Sequence, residues 1–196
     1  MNKEDKQVRL VKLGEETAII RKSVIDQLGN KLLEVADVIS GVIGSGGKLL
    51  IAGNGGSAAM AAHFAAEMVV RLTAQKNRQS LPALALCVDP AVMTAAANDF
   101  GFEKMFARQV EGLGNKGDML FIMSTSGNSP NLIEAVAMAH KKSLLTTALL
   151  GGNGGKLAKI VERVLVVPHS STQRIQEEHL FLIHLLVEMV ESDLFA

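Results

Sequence analysis

Met119-Leu120-Phe121-Ile122-Met123-Ser124-Thr125-Ser126-Gly127-Asn128-Ser129-Pro130 is the stretch that decides the fold. Five apolar residues in a row, without alternation, read as a strand buried on both faces. The strand runs into a turn rich in hydroxyls and glycine. Ser129 then stands where a helix N-cap belongs, and Pro130 at the first helical position, where its missing N–H is harmless. A strand, a polar glycine turn and a helix, in that order, form half of a βαβ unit.

The same sequence of events recurs on both sides. Upstream, Lys48-Leu49-Leu50-Ile51-Ala52 is a short apolar strand, followed by Gly53-Asn54-Gly55-Gly56-Ser57 and a helix from about Ala58 to Leu72. Leu81 to Val88 reads as another strand, with a turn at Asp89-Pro90 and helical stretches over 91–97 and 102–112. Downstream, the helix after Pro130 runs to about Lys142, and strands follow at 144–150 and 164–167 with a short helix at 156–162 between them. Ser170 and Gln173 suggest a capping box for a last helix reaching about Glu191. Before all of this, Ile20, Val24, Leu28, Leu32, Val35, Ile39 and Val42 fall at helical spacing from about Glu15 to Ser45, as one helix or as two divided at Gly29-Asn30. The expectation is an α/β, doubly wound, parallel five-stranded sheet with added N- and C-terminal helices, one domain over 1–196 with 1–45 as its helical N-terminal segment.

Composition narrows the function. The chain has 196 residues, 48% of them hydrophobic, which suits a single core. Lys+Arg and Asp+Glu are both 20, so there is no basic field for nucleic acid, and the absence of Trp and Tyr removes the usual base-stacking side chains. The one cysteine, Cys87, lies in an apolar strand and fits a reducing cytoplasm. No apolar run approaches the ~20 residues that span a bilayer, and Met1 to Gln7 lacks a signal-peptide core. A cytoplasmic protein with neither nucleic-acid nor membrane partners is expected.

In a parallel sheet of this kind ligands sit beyond the carboxyl ends of the strands, where both glycine turns fall. Glycine lets backbone N–H groups approach an anion at a helix N-terminus, and the hydroxyls of Ser57, Ser124, Thr125, Ser126 and Ser129 add neutral donors. Two such turns suit a phosphate held without a lysine. Gly53-x-Gly55-x-x-Ala58 also satisfies the loose dinucleotide fingerprint, but the acidic residue closing the second strand comes only at Asp89, too late for that motif. Gly151 to Lys156 falls one residue short of a P-loop.

His63 and Glu67 stand four apart on the helix that opens at Ser57 and so share a face. The last helix carries Gln176, His179 and His184 among apolar residues, and on a helical wheel Gln176 lies between the two histidines. Spacing leaves open which histidine faces the cleft. One carboxylate, up to three imidazoles and an amide suit either general acid/base work or a divalent metal.

Gly53-Asn54-Gly55-Gly56-Ser57, His63-Phe64-Ala65-Ala66-Glu67, Asn98-Asp99-Phe100-Gly101-Phe102, Ser124 through Ser129, and Arg174-Ile175-Gln176-Glu177-x-His179 occur in this order. Together they resemble the bacterial phosphoheptose isomerases of the SIS domain family over nearly the whole chain. The resemblance implies a SIS, flavodoxin-like fold and a homotetramer whose active sites are shared between subunits. It implies conversion of sedoheptulose 7-phosphate to D-glycero-D-manno-heptose 7-phosphate, feeding a heptose-containing glycan such as lipopolysaccharide. Its substrate-binding positions match Asn54, Gly55, Ser57, Asn98, Asp99, Ser124, Thr125, Ser126, Ser129 and Gln176. Its metal site, usually zinc, matches His63, Glu67, Gln176 and His184, and its base and acid match Glu67 and His184. Met60 and Gln173 depart from what many members carry. A non-catalytic relative, the DnaA initiator-associating protein, is also similar but lacks the carboxylate that Glu67 provides here.

Overall fold

The computed structural model describes residues 1–195. Five parallel strands form one sheet in the order β2-β1-β3-β4-β5, with β1 Leu49–Gly53, β2 Ala83–Ala85, β3 Met119–Ser124, β4 Leu145–Gly151 and β5 Arg163–Val167. This is the doubly wound order in which the chain reverses direction between β1 and β3. Registers such as Ile51 with Phe121, and Phe121 with Thr147, align the central strands. Every residue of β1 and β3 is buried, which is why neither strand alternates. The edge strand β2 is shorter than expected: only three residues pair with β1.

One face of the sheet is covered by α1 (Lys3–Gly44), α2 (Gly56–Val69) and α6 (Thr172–Leu194), around Ile51, Phe64, Met68, Phe121, Leu182 and Leu186. The other is covered by α3 (Pro90–Phe100), α4 (Met105–Leu113) and α5 (Pro130–Lys141), around Leu50, Phe106, Leu120, Ile122 and Val136. Consecutive strand residues therefore feed opposite cores, as a pleated sheet covered on both sides requires.

Several expectations are corrected. The N-terminal helix is one element of 42 residues, starting at Lys3 under an Asn2–Asp5 capping box and passing unbroken through Gly29. A helical glycine costs about 1 kcal/mol, less than burial of Val24, Leu28, Leu32, Val35 and Ile39 provides. The expected helix at 156–162 is a single 3-10 turn, Leu157–Lys159. The last helix is capped by Ser171 rather than Ser170, and no side-chain capping bond forms there.

His179 shows what anchors α6 to the sheet. Its ring is fully buried, and Nε2 lies 3.1 Å from the carbonyl of Leu150 at the end of β4. Burial pushes its pKa down to about 4, against the bond to Leu150, which raises it. The unfolded chain therefore takes up this proton near pH 6.5 while the fold refuses it until about 4. Stability from this group is complete above pH 6.5 and is lost on acidification, by about 3 kcal/mol at pH 4, taking about 1.4 kcal/mol per pH unit. Urea unfolding of His179→Gln, which keeps a donor for Leu150, is expected to show a correspondingly flatter decline between pH 6.5 and 4.

Candidate active site

The carboxyl ends of β1 and β3 open onto a cavity of about 220 Å³. Asn54 and Ser57 line it from the first glycine turn, Ser124, Thr125, Ser126 and Ser129 from the second, and Thr172 and Gln176 from the start of α6. Wider depressions exist along α1 and between β2, α3 and α4, of about 590 and 410 Å³, but both are mainly apolar and lack such a convergence of donors. Size does not mark the site here; polar groups do.

The second turn is stiffened from within. Gly127 N–H donates to Ser124 Oγ at 3.1 Å, and Asn128 N–H to Ser126 Oγ at 3.2 Å. Gly127 takes a positive φ of 63° to close the turn. Ser129 occupies the N-cap of α5 as expected, yet its hydroxyl makes no capping bond. That leaves the Ser129 hydroxyl, which lines the cavity, free of any bond to its own helix. The first turn is held by a pair that sequence reasoning missed: Asn54 and Asn131 exchange reciprocal amide bonds at 2.9 and 2.8 Å, with Asn131 1% exposed. A lone asparagine on a helix carries no signal for this, since its partner is 77 positions away.

From this cavity α2 and α6 run side by side in the same direction. Gln176 lies against Gly56, so close that a Cβ there would meet its amide nitrogen at 2.5 Å. Seven residues along α2, His63 Nε2 sits 2.8 Å from His184 Nε2 of α6, the rings edge-on at 71°. At 1.5 Å rise per residue this places the imidazoles ~10 Å along the seam from the glycine turn. Glu67, one turn further, has Oε1 3.5 Å from His63 Nε2, while its Oε2 is buried without a hydrogen-bond partner. A carboxylate oxygen left unpaired in a protein interior is costly, and active sites are where such groups persist.

The wheel ambiguity is thus resolved: His184 faces His63, and His179 faces the sheet. The structure brings His63, Glu67 and His184 together, and groups Asn54, Ser57, Ser124, Thr125, Ser126, Ser129 and Gln176 around the cavity. Gly55 is the exposed N-cap of α2, with a φ of 55°. Asn98 and Asp99 do not reach the cavity within the single chain; they stand exposed at the end of α3, bonded to each other at 2.8 Å.

The donor chemistry at the seam suits a divalent metal: two imidazoles and one carboxylate, one of whose oxygens is buried without a hydrogen-bond partner. Among the described residues no three His, Cys, Asp or Glu side chains are already spread around a common metal position. The two Nε2 atoms are in hydrogen-bond contact instead, so the rings must part slightly to share an ion. Gln176 lies at the cavity end, against Gly56.

Known proteins are similar to this chain over most of its length. The SIS domain pattern matches residues 14–151. A phosphoheptose isomerase from Chlorobaculum parvum is 44% identical over 177 residues, 90% of this chain and 85% of that protein. The structure of phosphoheptose isomerase GmhA from Neisseria gonorrhoeae aligns with a TM-score of 0.88 at 40% identity, covering 95% of this chain and 98% of the other. A phosphoheptose isomerase from Francisella tularensis aligns with a TM-score of 0.91 at 33% identity, over 98% and 100% of the two chains.

Proposed function

We propose a mechanism from the premise that this chain belongs to the SIS domain family, among the phosphoheptose isomerases. It is a sugar-phosphate isomerase that converts sedoheptulose 7-phosphate to D-glycero-D-manno-heptose 7-phosphate. The observation that carries the assignment of roles is the pairing of two ends. A hydroxyl-lined cavity at two helix N-termini lies on the same α2–α6 seam as Glu67 and His184, separated by a length that a seven-carbon sugar phosphate can span.

The phosphate occupies the cavity, held by Ser57, Ser124, Thr125, Ser126, Ser129 and the N–H groups of the glycine turns. Its binding energy orients the far end of the sugar, where the chemistry occurs. There the carboxylate of Glu67 takes a proton from C1 of the ketose, while His184 protonates the oxygen on C2. The enediol that results loses the proton of its C1 hydroxyl to His184 and receives Glu67's proton at C2. One C–H bond breaks and another forms; no oxidant is consumed. The two oxygens of Glu67 can divide their work, since Oε1 faces His63 and Oε2 is unpaired.

His63, Glu67 and His184 would hold the zinc ion that family resemblance implies, whereas Gln176, against Gly56 and ~10 Å away along the seam, does not reach that position within one chain. Such an ion supplies Lewis acidity that steadies negative charge on the sugar oxygens.

Self-association as a homotetramer is part of the proposal. It is supported by the first half of α1, where Val8, Leu10, Val11 and Ile19 are exposed on a helix that begins to bury side chains only at Val24. Asn98 and Asp99 would then meet substrate from a neighbouring subunit. No described helix is long and apolar enough to cross a membrane, in keeping with a cytoplasmic role.

The test is direct. Incubated with sedoheptulose 7-phosphate, the protein is expected to generate the aldose, followed by NMR, and to slow when a chelator strips the metal. A preparation that leaves the ketose unchanged, with added zinc as well, contradicts the reading.

A further inference from the structure

The seam that holds the proton-transfer residues is clamped at one end by a buried ion pair. Arg78 lies in the loop after α2 with its side chain 1% exposed, and Glu191 lies in the last turn of α6 with its side chain 4% exposed. Arg78 Nε donates to Glu191 Oε1 at 2.8 Å. The same guanidinium reaches α2: Nη2 donates to the carbonyl of Glu67 and Nη1 to that of Met68, each at 2.8 Å. Glu191 Oε1 also accepts the Leu72 N–H at 3.3 Å, and Lys76 Nζ donates to the Glu191 carbonyl at 2.8 Å.

Parallel helices explain why a cation belongs there. α2 and α6 end near one another, so two negative helix poles and their orphan carbonyls meet. Neither helix has a basic residue in its own last turn. A carboxylate such as Glu191 beside a helix C-terminus is unfavourable unless a cation is fixed against it. Arg78 satisfies two α2 carbonyls and the Glu191 carboxylate at once, its planar fork of donors divided between the two helices, while Lys76 takes the Glu191 carbonyl.

The geometry ties this clamp to the site. Glu191 follows His184 by seven residues, two turns along the same face of α6. On α2, Arg78 grips the backbone of Glu67 itself. We propose that Arg78, with Glu191, is a positioning residue that sets the separation of Glu67 from His184. Neither touches substrate. The inference rests on reading Glu67 and His184 as the proton-transfer pair.

Removing Arg78 alone leaves Glu191 charged and buried, which can unfold the chain. Three variants of the full chain therefore make the test, each checked by thermal melting before kcat and KM for sedoheptulose 7-phosphate are measured. Glu191→Gln keeps an acceptor for Arg78 and is expected to hold kcat within about fivefold of the parent. Arg78→Lys cannot divide its donors between two helices and is expected to lose roughly tenfold or more. Arg78→Met combined with Glu191→Leu replaces the pair by apolar bulk, which buried pairs often tolerate without loss of stability. It leaves the Glu67 and Met68 carbonyls and the Leu72 N–H without these partners, so it is expected to melt several degrees below the parent and yet, while folded, to lose on the order of 10²-fold in kcat, the scale of a misplacement of about 1 Å, with KM within about threefold.

A folded double variant with parental kcat overturns the inference, since the pair would then serve stability alone. A loss confined to KM overturns it as well. A parent protein without turnover is a different result: it removes the proposed chemistry, and the positioning role with it.

Discussion

Replacing Glu67 with Gln is expected to lower kcat by ~10²–10⁴-fold, the range that a positioned general base contributes, while sedoheptulose 7-phosphate still binds. The change is nearly isosteric, so α2 should keep its packing of Phe64 and Met68 against the sheet. Its carbonyl, which Arg78 grips, is untouched. What disappears is a carboxylate with one oxygen near His63 and the other buried and unpaired. An uncharged amide cannot take a proton from carbon. Burying a group that needs no negative charge even relieves a desolvation penalty, so the variant should be at least as stable as its parent. Calorimetric titration with the sugar phosphate and a steady-state assay separate the two effects. Parental kcat in the variant removes Glu67 from the mechanism.

The opposite separation is expected at the other end of the cavity. Gly127→Ala places a methyl where the carbonyl oxygen of Gly154 would be 2.0 Å away and its carbon 2.5 Å away. These are backbone atoms of a turn that is itself held, since Gly154 N–H donates to the Gly151 carbonyl and Leu157 N–H to that of Gly127. Neither side can yield like a flexible side chain. The φ of 63° adds about 1–2 kcal/mol for any residue with a Cβ. The loop must reopen, and Ser124 Oγ loses the Gly127 N–H it accepts. A fall in melting temperature of roughly 5–10 °C is expected, from about 2–4 °C per kcal/mol in a chain of this size. KM should rise by about tenfold or more, the equivalent of about 1.4 kcal/mol of lost phosphate binding, with kcat at saturation falling less. A variant that melts lower but binds normally would free the Ser124–Ser129 turn from the phosphate role.

How much of this was legible beforehand differs from element to element, for physical reasons. β1 and β3 are legible because strands buried on both faces are almost wholly apolar, and β4 keeps that pattern except for the buried Thr146 and Thr147. β2 is shorter than its apolar run suggests: Leu81 and Leu86 are buried like strand residues, yet only Ala83 to Ala85 pair with β1. Gly29 was a candidate break because local propensity disfavours glycine in helices, and packing of α1 on α6 outweighed it. The capping box at Ser170 failed because Ser171 takes the N-cap without a side-chain bond.

The site was legible where chemistry is local in sequence. His63 and Glu67 share a helix face at i and i+4, and the hydroxyl turns are continuous. Spacing alone does not choose His184 over His179, since both flank Gln176 on the wheel; the family resemblance points to His184, and packing turns it to α2 and His179 to Leu150. Asn131 and Arg78 gave no signal. Each matters through partners brought near by folding, on Asn54 in one case and on α2 and α6 in the other.

A crystal structure of Glu67→Gln soaked with sedoheptulose 7-phosphate puts the central claim to its hardest test. The phosphate should rest among Ser57, Ser124, Thr125, Ser126 and Ser129, with C1 and C2 beside residue 67 and His184 on the α2–α6 seam. Phosphate density away from those hydroxyls, or reacting carbons out of reach of both side chains, would contradict it.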